Sequence, residues 1–299
     1  MKRASVDFII YFENIYQSTI LHSTNMQSSQ RRTVLITGAN KGIGYATIEK
    51  LLSEPTPYDI ILTSRDVTLG EKATATLQEK YPNSSSTVTY HQLDQNDDKS
   101  VENLVEWIKS SNKKIDVLVN NAAVRQSTTD DEYKKLIVKT NFVSVVNLTE
   151  KLLPYLTEDG KILQITSLVG QLAWQGETLR KALTDPELTR EKLFELANNI
   201  VEVTKDFPYN PPFFAESSYP ASKALSNTYT RNFLLGQLKE NQQVYVVEPG
   251  WVQTDMGGTR APLTPEQGVD SIWYVINLPF KKDPELNCKL ISLRKAVEF

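Results

Sequence analysis

From Thr33 onward, short apolar runs alternate with longer stretches in which apolar positions recur every three or four residues. Runs too short for a helix and apolar at successive positions fit strands buried on both faces. The predicted strands are Thr33–Thr37, Asp59–Ser64, Thr87–Gln92, Ile115–Asn120, Lys161–Thr166, Gln243–Glu248 and a last one near Lys289–Ser292. Helical periodicity fills 42–54, 66–80, 97–111, 131–156, 217–240 and 265–277. Strand and helix in repeated alternation predict parallel strands joined by right-handed crossovers, an α/β doubly wound sheet in three layers.

The alternation lapses twice. Residues 170–216 separate a strand from its crossover helix by far more than a normal connection. Within them, Pro186 followed by Glu-Leu-Thr-Arg-Glu-Lys-Leu-Phe-Glu-Leu-Ala predicts a helix with proline at its first position, so a helical insertion is expected. Residues 1–32 carry no such pattern and are expected to be a disordered extension, leaving 33–299 as a single domain. Phe8–Phe12 is bracketed by Asp7 and Glu13 and is too short for a signal-peptide core. No apolar run is long enough to span a bilayer, so no membrane association is expected.

Composition narrows the partners. With 40% hydrophobic and 23% charged residues the 299-residue chain has ordinary globular proportions. A net charge of -3 provides no broad basic surface for nucleic acid. The single cysteine, Cys288, cannot form an internal disulfide and fits a reducing, cytoplasmic setting. Two histidines, His22 and His91, are too few and too scattered for a zinc centre, and no metal is expected.

The first strand runs into Thr37-Gly38-Ala39-Asn40-Lys41-Gly42-Ile43-Gly44, and a helix follows. A turn that lets a pyrophosphate approach its backbone needs residues without Cβ, and the helix start supplies free N–H groups and a positive dipole end. Gly38, Gly42 and Gly44 meet that need. Their spacing differs from the common Gly-x-Gly-x-x-Gly fingerprint and resembles the short-chain dehydrogenase/reductase family, whose Rossmann-type fold it implies. In that family an acidic end to the second strand goes with NAD. Here Ser64 stands at that place and Arg65 follows, which implies NADPH, with the guanidinium forked onto the 2′-phosphate and Lys41 as a second cation. The resemblance further implies cofactor contacts from Asn40, Ile43, Asp94 and Asn121, and from Pro249, Gly250, Val252 and Thr254 after the sixth strand. Ala123 departs from the family's Asn-Asn-Ala-Gly stretch, and would strain the loop if the position required positive φ.

Tyr219 is the only tyrosine with a lysine four residues on, Lys223. On a helix the two share a face, where an ammonium favours phenolate and makes the phenol a usable acid. Ser167 ends the fifth strand, and ligand sites in open α/β sheets lie at the carboxyl ends of strands. Asn141 resembles the family asparagine that holds a water in the proton relay. The insertion, the Pro249–Met256 stretch and the C-terminal Ile291–Glu298 segment together resemble the monomeric NADPH carbonyl reductases. That resemblance implies reduction of quinones, aldehydes and ketones by hydride transfer. Tyr219 would protonate the carbonyl oxygen, Ser167 would hydrogen-bond it, and Lys223 would hold the nicotinamide ribose. It also implies a monomer, because the insertion would cover the helices through which most of the wider family pairs. Trp251 and Met256 are candidates for an apolar substrate wall. Two other functions stay open: a biosynthetic reductase dedicated to one terpenoid or alkaloid ketone, and a non-catalytic NADPH-binding protein, against which the intact Ser167, Tyr219 and Lys223 argue.

Overall fold

A computed structural model describes residues 31–126, 129–208 and 217–297. The expectations for residues 1–30, for 209–216 of the insertion and for Glu298 lie outside the described residues. The described strands are β1 (Arg32–Ile36), β2 (Tyr58–Ser64), β3 (Thr87–Gln92), β4 (Ile115–Asn120), β5 (Leu156–Ile165), β6 (Gln243–Glu248), β7 (Leu290–Ser292) and β8 (Lys295–Val297). Their order in one sheet is β3-β2-β1-β4-β5-β6-β7-β8. All neighbours are parallel except β7 and β8.

Alternate residues along each central strand feed two separate cores. Leu35, Ile61, Leu118, Ile162 and Val244 face one layer. Val34, Ile36, Ile60, Leu62, Val117, Val119, Leu163 and Val247 face the other. Both sets are fully or almost fully buried, which explains the unbroken apolar runs. Helices α1 (Gly42–Ser53) and α2 (Val67–Lys80) pack on the second layer through Ile48, Leu51, Ala73 and Leu77. Helices α3 (Asp98–Ser110), α4 (Asp131–Val138) and α5 (Ser144–Leu152) pack on the first through Leu104, Ile108, Val138 and Leu148. The predicted helix 131–156 is in fact α4 and α5 joined through a π-helical segment, Lys139–Val143, and closed by a 3₁₀ turn, Leu153–Tyr155.

Two expectations need correction. The insertion is helical, with α6 (Glu177–Leu183), α7 (Arg190–Asn198) and α8 (Ile200–Val203), but Pro186 does not begin a helix. The Asp185 carboxylate accepts from the Glu187 N–H at 2.8 Å, folding a turn around the proline, and the Thr189 hydroxyl caps α7 by accepting from Lys192 N–H. The helix therefore starts where a hydroxyl can satisfy one of its orphan donors. The sheet is also not wholly parallel. Leu293 and Arg294, at φ 49° and 62°, form a tight hairpin turn that returns β8 against β7. Such turns are usually marked by Asn or Gly, and neither is present to signal this one. Arg294 is held there by Asp270.

After the insertion come α9 (Ser218–Tyr229), with a π-helical continuation Thr230–Leu234, then β6, α10 (Pro265–Gly268) and α11 (Asp270–Asn277). Strand order reverses between β1 and β4, so the loops leaving their carboxyl ends diverge and open a crevice.

Candidate active site

A cleft of about 2130 Å³ lies along the carboxyl edge of the sheet. Every cofactor, substrate or catalytic residue singled out from sequence lines it, except Gly44 and Asn141.

The glycine turn forms its floor. Gly38 and Gly42 adopt φ of 62° and 60°, a conformation costly for residues with a Cβ. Gly44 is required for a different reason. A Cβ there would lie 2.7 Å from the Asn121 amide nitrogen and 2.9 Å from Ala39 Cα, so its absence lets α1 start tightly against the β4 loop. That loop is laced to the turn by Asn121, whose amide donates to the carbonyls of Thr37 at 2.8 Å and Gly38 at 3.1 Å. The Thr37 hydroxyl accepts from the N–H groups of Asn121 and Ala122. Ala123 is not at positive φ, so the departure from glycine causes no strain there.

Arg65 is exposed at the end of β2 and makes no ion pair among the described residues. Neighbouring Asp66 instead caps α2, accepting from Leu69 N–H at 2.9 Å. The Lys41 ammonium lies 2.7 Å from Asp255, on the loop after β6 that also lines the cleft. The same loop approaches the turn at Thr254, whose Cγ2 lies 3.5 Å from where a Gly42 Cβ would sit. The Asp94 carboxylate accepts from Asn96 N–H, which fixes its rotamer beside the cleft.

Tyr219 and Lys223 share the face of α9 that meets the end of β5. The Lys223 ammonium lies 5.7 Å from the centre of the Tyr219 ring and donates to the Ile165 carbonyl at 2.7 Å. Burial pulls its pKa down to about 8. Ser167, two residues past that carbonyl, has a half-buried hydroxyl with no hydrogen-bond partner among the described residues. The strand end is pinned to α9 at Asn227, whose side chain accepts from Thr166 Oγ1 at 2.8 Å and donates to the Gly170 carbonyl at 3.2 Å. One layer below, Asn120, Gln164 and Ser226 form a buried chain of hydrogen bonds. These bonds set the strand end and α9 in register, so that serine, tyrosine and lysine all line the cleft.

Asn141 lies behind the cleft wall, 2% exposed, in the π-helical segment. Its amide accepts from Val124 N–H at 2.8 Å and donates to the Val124 carbonyl at 2.9 Å and to Ser222 Oγ at 3.1 Å. Both N–H donors are therefore spent on protein, and the side chain braces the β4 loop against α9. A π-helical turn at this position fits a site-shaping irregularity.

Trp251 and Met256, 41% and 39% exposed, also line the cleft, as does Leu168 at 40%. The Trp251 indole N–H donates to the Gly257 carbonyl, which holds the ring in place. Sequence reasoning missed two residues. Thr37 was visible beside Gly38, but its role depends on a loop 84 positions away. Arg125 places its guanidinium carbon 5.4 Å from the centre of the Tyr219 ring. Its one sequence signal is its position shortly after the fourth strand.

Comparison with known proteins agrees with this geometry. A short chain dehydrogenase family model matches residues 32–179. The carbonyl reductase (NADPH) 1 of Sus scrofa is 33% identical over 282 residues, covering 91% of this chain and 96% of the relative. The carbonyl reductase (NADPH) 3 of Mus musculus is also 33% identical, over 84% of this chain and 93% of its own. Among solved structures, salutaridine reductase from Papaver somniferum superposes with a TM-score of 0.73 at 28% identity, over 84% of this chain and 97% of that one.

Proposed function

The chain belongs to the short-chain dehydrogenase family, and from that premise we propose that it reduces aldehydes, ketones and quinones with NADPH, Tyr219 giving the carbonyl oxygen its proton. The observation that carries the reading is that Ser167, Tyr219 and Lys223 line one cleft together with a glycine turn and an arginine that makes no ion pair among the described residues.

The residues fit the cofactor. Gly38 and Gly42 leave room above the start of α1 for a pyrophosphate, and Arg65, with no ion pair among the described residues, suits a 2′-phosphate. Asp94 and Asn121 would border the adenosine half, and Pro249, Gly250, Val252 and Thr254 the nicotinamide half. Lys41 would give up Asp255 to reach a phosphate. Bound NADPH supplies the hydride.

Every other step belongs to this chain's own groups. Ser167 holds the substrate oxygen with its free hydroxyl. Tyr219 protonates that oxygen as negative charge builds on it. Lys223 holds a positive charge beside the phenol and lowers the cost of giving up that proton. Asn141 acts by position, keeping the β4 loop and α9 at a fixed separation. Trp251, Met256 and Leu168 press an apolar substrate body toward the three catalytic side chains and displace water.

The same reading includes a cytoplasmic monomer. The insertion buries Leu179, Leu183, Leu193 and Ile200 in the layer built by α4, α5 and α9, occupying faces a partner subunit would otherwise reach. The likeness to salutaridine reductase supports a second reading, a reductase dedicated to one substrate.

A spectrophotometric screen of NADPH oxidation against quinones, aldehydes and diketones distinguishes the two by breadth. Tyr219→Phe preserves the ring and removes the acidic proton. Its kcat should fall by about 10²–10⁴-fold with NADPH binding retained. Wild-type turnover by Tyr219→Phe, with chemistry limiting, would remove Tyr219 as the acid.

A further inference from the structure

We propose that Arg125 makes the site selective for carbonyl substrates that bear a carboxylate a few bonds from the reacting carbon. The proposal deepens the carbonyl reductase reading and rests on it.

Arg125 leaves the carboxyl end of β4, the edge along which the cleft runs. Its guanidinium carbon stands 5.4 Å from the centre of the Tyr219 ring, and both residues line the cleft. Arg65 and Arg260 also line the cleft, but the cations placed against the Tyr219 ring are Arg125 and Lys223, and Lys223 is engaged with the Ile165 carbonyl. Arg125 is exposed and, among the described residues, has no carboxylate within ion-pair distance. An arginine kept beside a reacting phenol, with the ring face as its partner among the described residues, presents its planar fork of donors to whatever lies against that phenol.

The reacting carbonyl must lie there, because its oxygen takes the Tyr219 proton. A substituent within a few bonds of it comes within reach of the guanidinium. A carboxylate matches the fork with two parallel hydrogen bonds, and one guanidinium balances one negative charge. Leu168, Trp251 and Met256 offer the cleft exposed apolar side chains, which suit an apolar substrate body. The substrate class this describes is an aryl or alkyl oxo acid, its carboxylate unchanged by the reaction.

The test compares 4-oxo-4-phenylbutanoate with its methyl ester, using wild-type enzyme and Arg125→Gln, with menadione as a neutral reference for wild type. In wild type kcat/KM should favour the acid over the ester, and added salt should erode the preference. Arg125→Gln should lower the acid-to-ester ratio by about tenfold, chiefly through KM for the acid. Three results would overturn the assignment: no preference for the acid in wild type, a ratio unchanged in the variant, or an equal fall in kcat for acid and ester. The last would make Arg125 a tuner of Tyr219 acidity. Menadione separates the two levels. If it is reduced while the acid is not favoured, only the role of Arg125 fails. If neither menadione nor either phenyl ketone is reduced, carbonyl reduction itself fails.

Discussion

Arg65 follows a strand end that lacks the acidic residue expected of an NAD site, and Asp66 is drawn away from it by the cap of α2. A helix cap thus leaves a guanidinium available beside the cleft. Arg65→Asp should weaken NADPH by roughly tenfold or more, the usual scale for losing a charge-assisted phosphate contact, with far less effect on NADH. Equal changes in KM for both cofactors would remove Arg65 as the selector. Lys223 makes a pH prediction. Burial lowers its pKa to about 8, so the ammonium loses its charge as pH rises through that value. Tyr219 must also keep its proton to act as the acid. Both requirements fail in the same direction, and kcat/KM for carbonyl reduction should fall as pH rises above about 8. A profile without that fall at alkaline pH would separate the Lys223 charge from catalysis.

Among the elements, irregular helices shape the site more than regular ones. The π-helical segment Lys139–Val143 carries Asn141 to Val124 and Ser222, and its breadth could not be read from a periodicity that looks continuous over 131–156. A second local device is Lys161 in β5. It is fully buried, and its ammonium donates to the carbonyls of Val275, Ile276 and Leu278 where α11 ends. Burial pulls its pKa down to about 7, from an ordinary lysine value of 10.5, with Arg32 adding to the effect. The unfolded chain therefore holds this proton more tightly than the folded one. The associated stability is fully present above pH 10.5 and is lost as pH falls toward about 7. Lys161→Met should flatten the rise in urea-unfolding free energy between those limits. Above pH 10.5, where Lys161 is neutral in both states, it should also cost about 1–3 kcal/mol, because carbonyls at the end of α11 lose their donor. An unchanged pH slope would place the titration elsewhere.

For the molecule as a whole, the insertion is tied to the body by both apolar and polar contacts. The rings of Phe194 and Phe142 lie 5.2 Å apart, and Arg190 forks onto Glu150 with its closest contact at 2.8 Å. Glu150 also accepts from the Tyr229 hydroxyl at 2.6 Å, so α5, α7 and α9 meet at one carboxylate. These contacts underlie the proposal of a monomer. Light scattering at micromolar concentration should return a mass near 33.9 kDa. A dimer or tetramer that persists on dilution would contradict the monomer.

While the NADPH expectation at Ser64-Arg65 came from the family resemblance, the layered fold, the glycine turn and the spacing of Tyr219 and Lys223 were legible in the chain before any contact was known. Each is local: a strand buried on both faces must be apolar throughout, a phosphate turn must lack Cβ atoms, and a tyrosine and lysine four apart on a helix share a face. Folding settled what depends on distant partners. It paired Lys41 with Asp255, 214 positions away, and set Asn141 as a brace through contacts 17 and 81 positions away. It returned β8 through a turn with no Asn or Gly, where Asp270 holds Arg294 from 24 positions away. It also brought Arg125 to the Tyr219 ring from a different strand end. Such pairings follow from how the sheet stacks its loops along one edge, and short-range spacing carries no record of them.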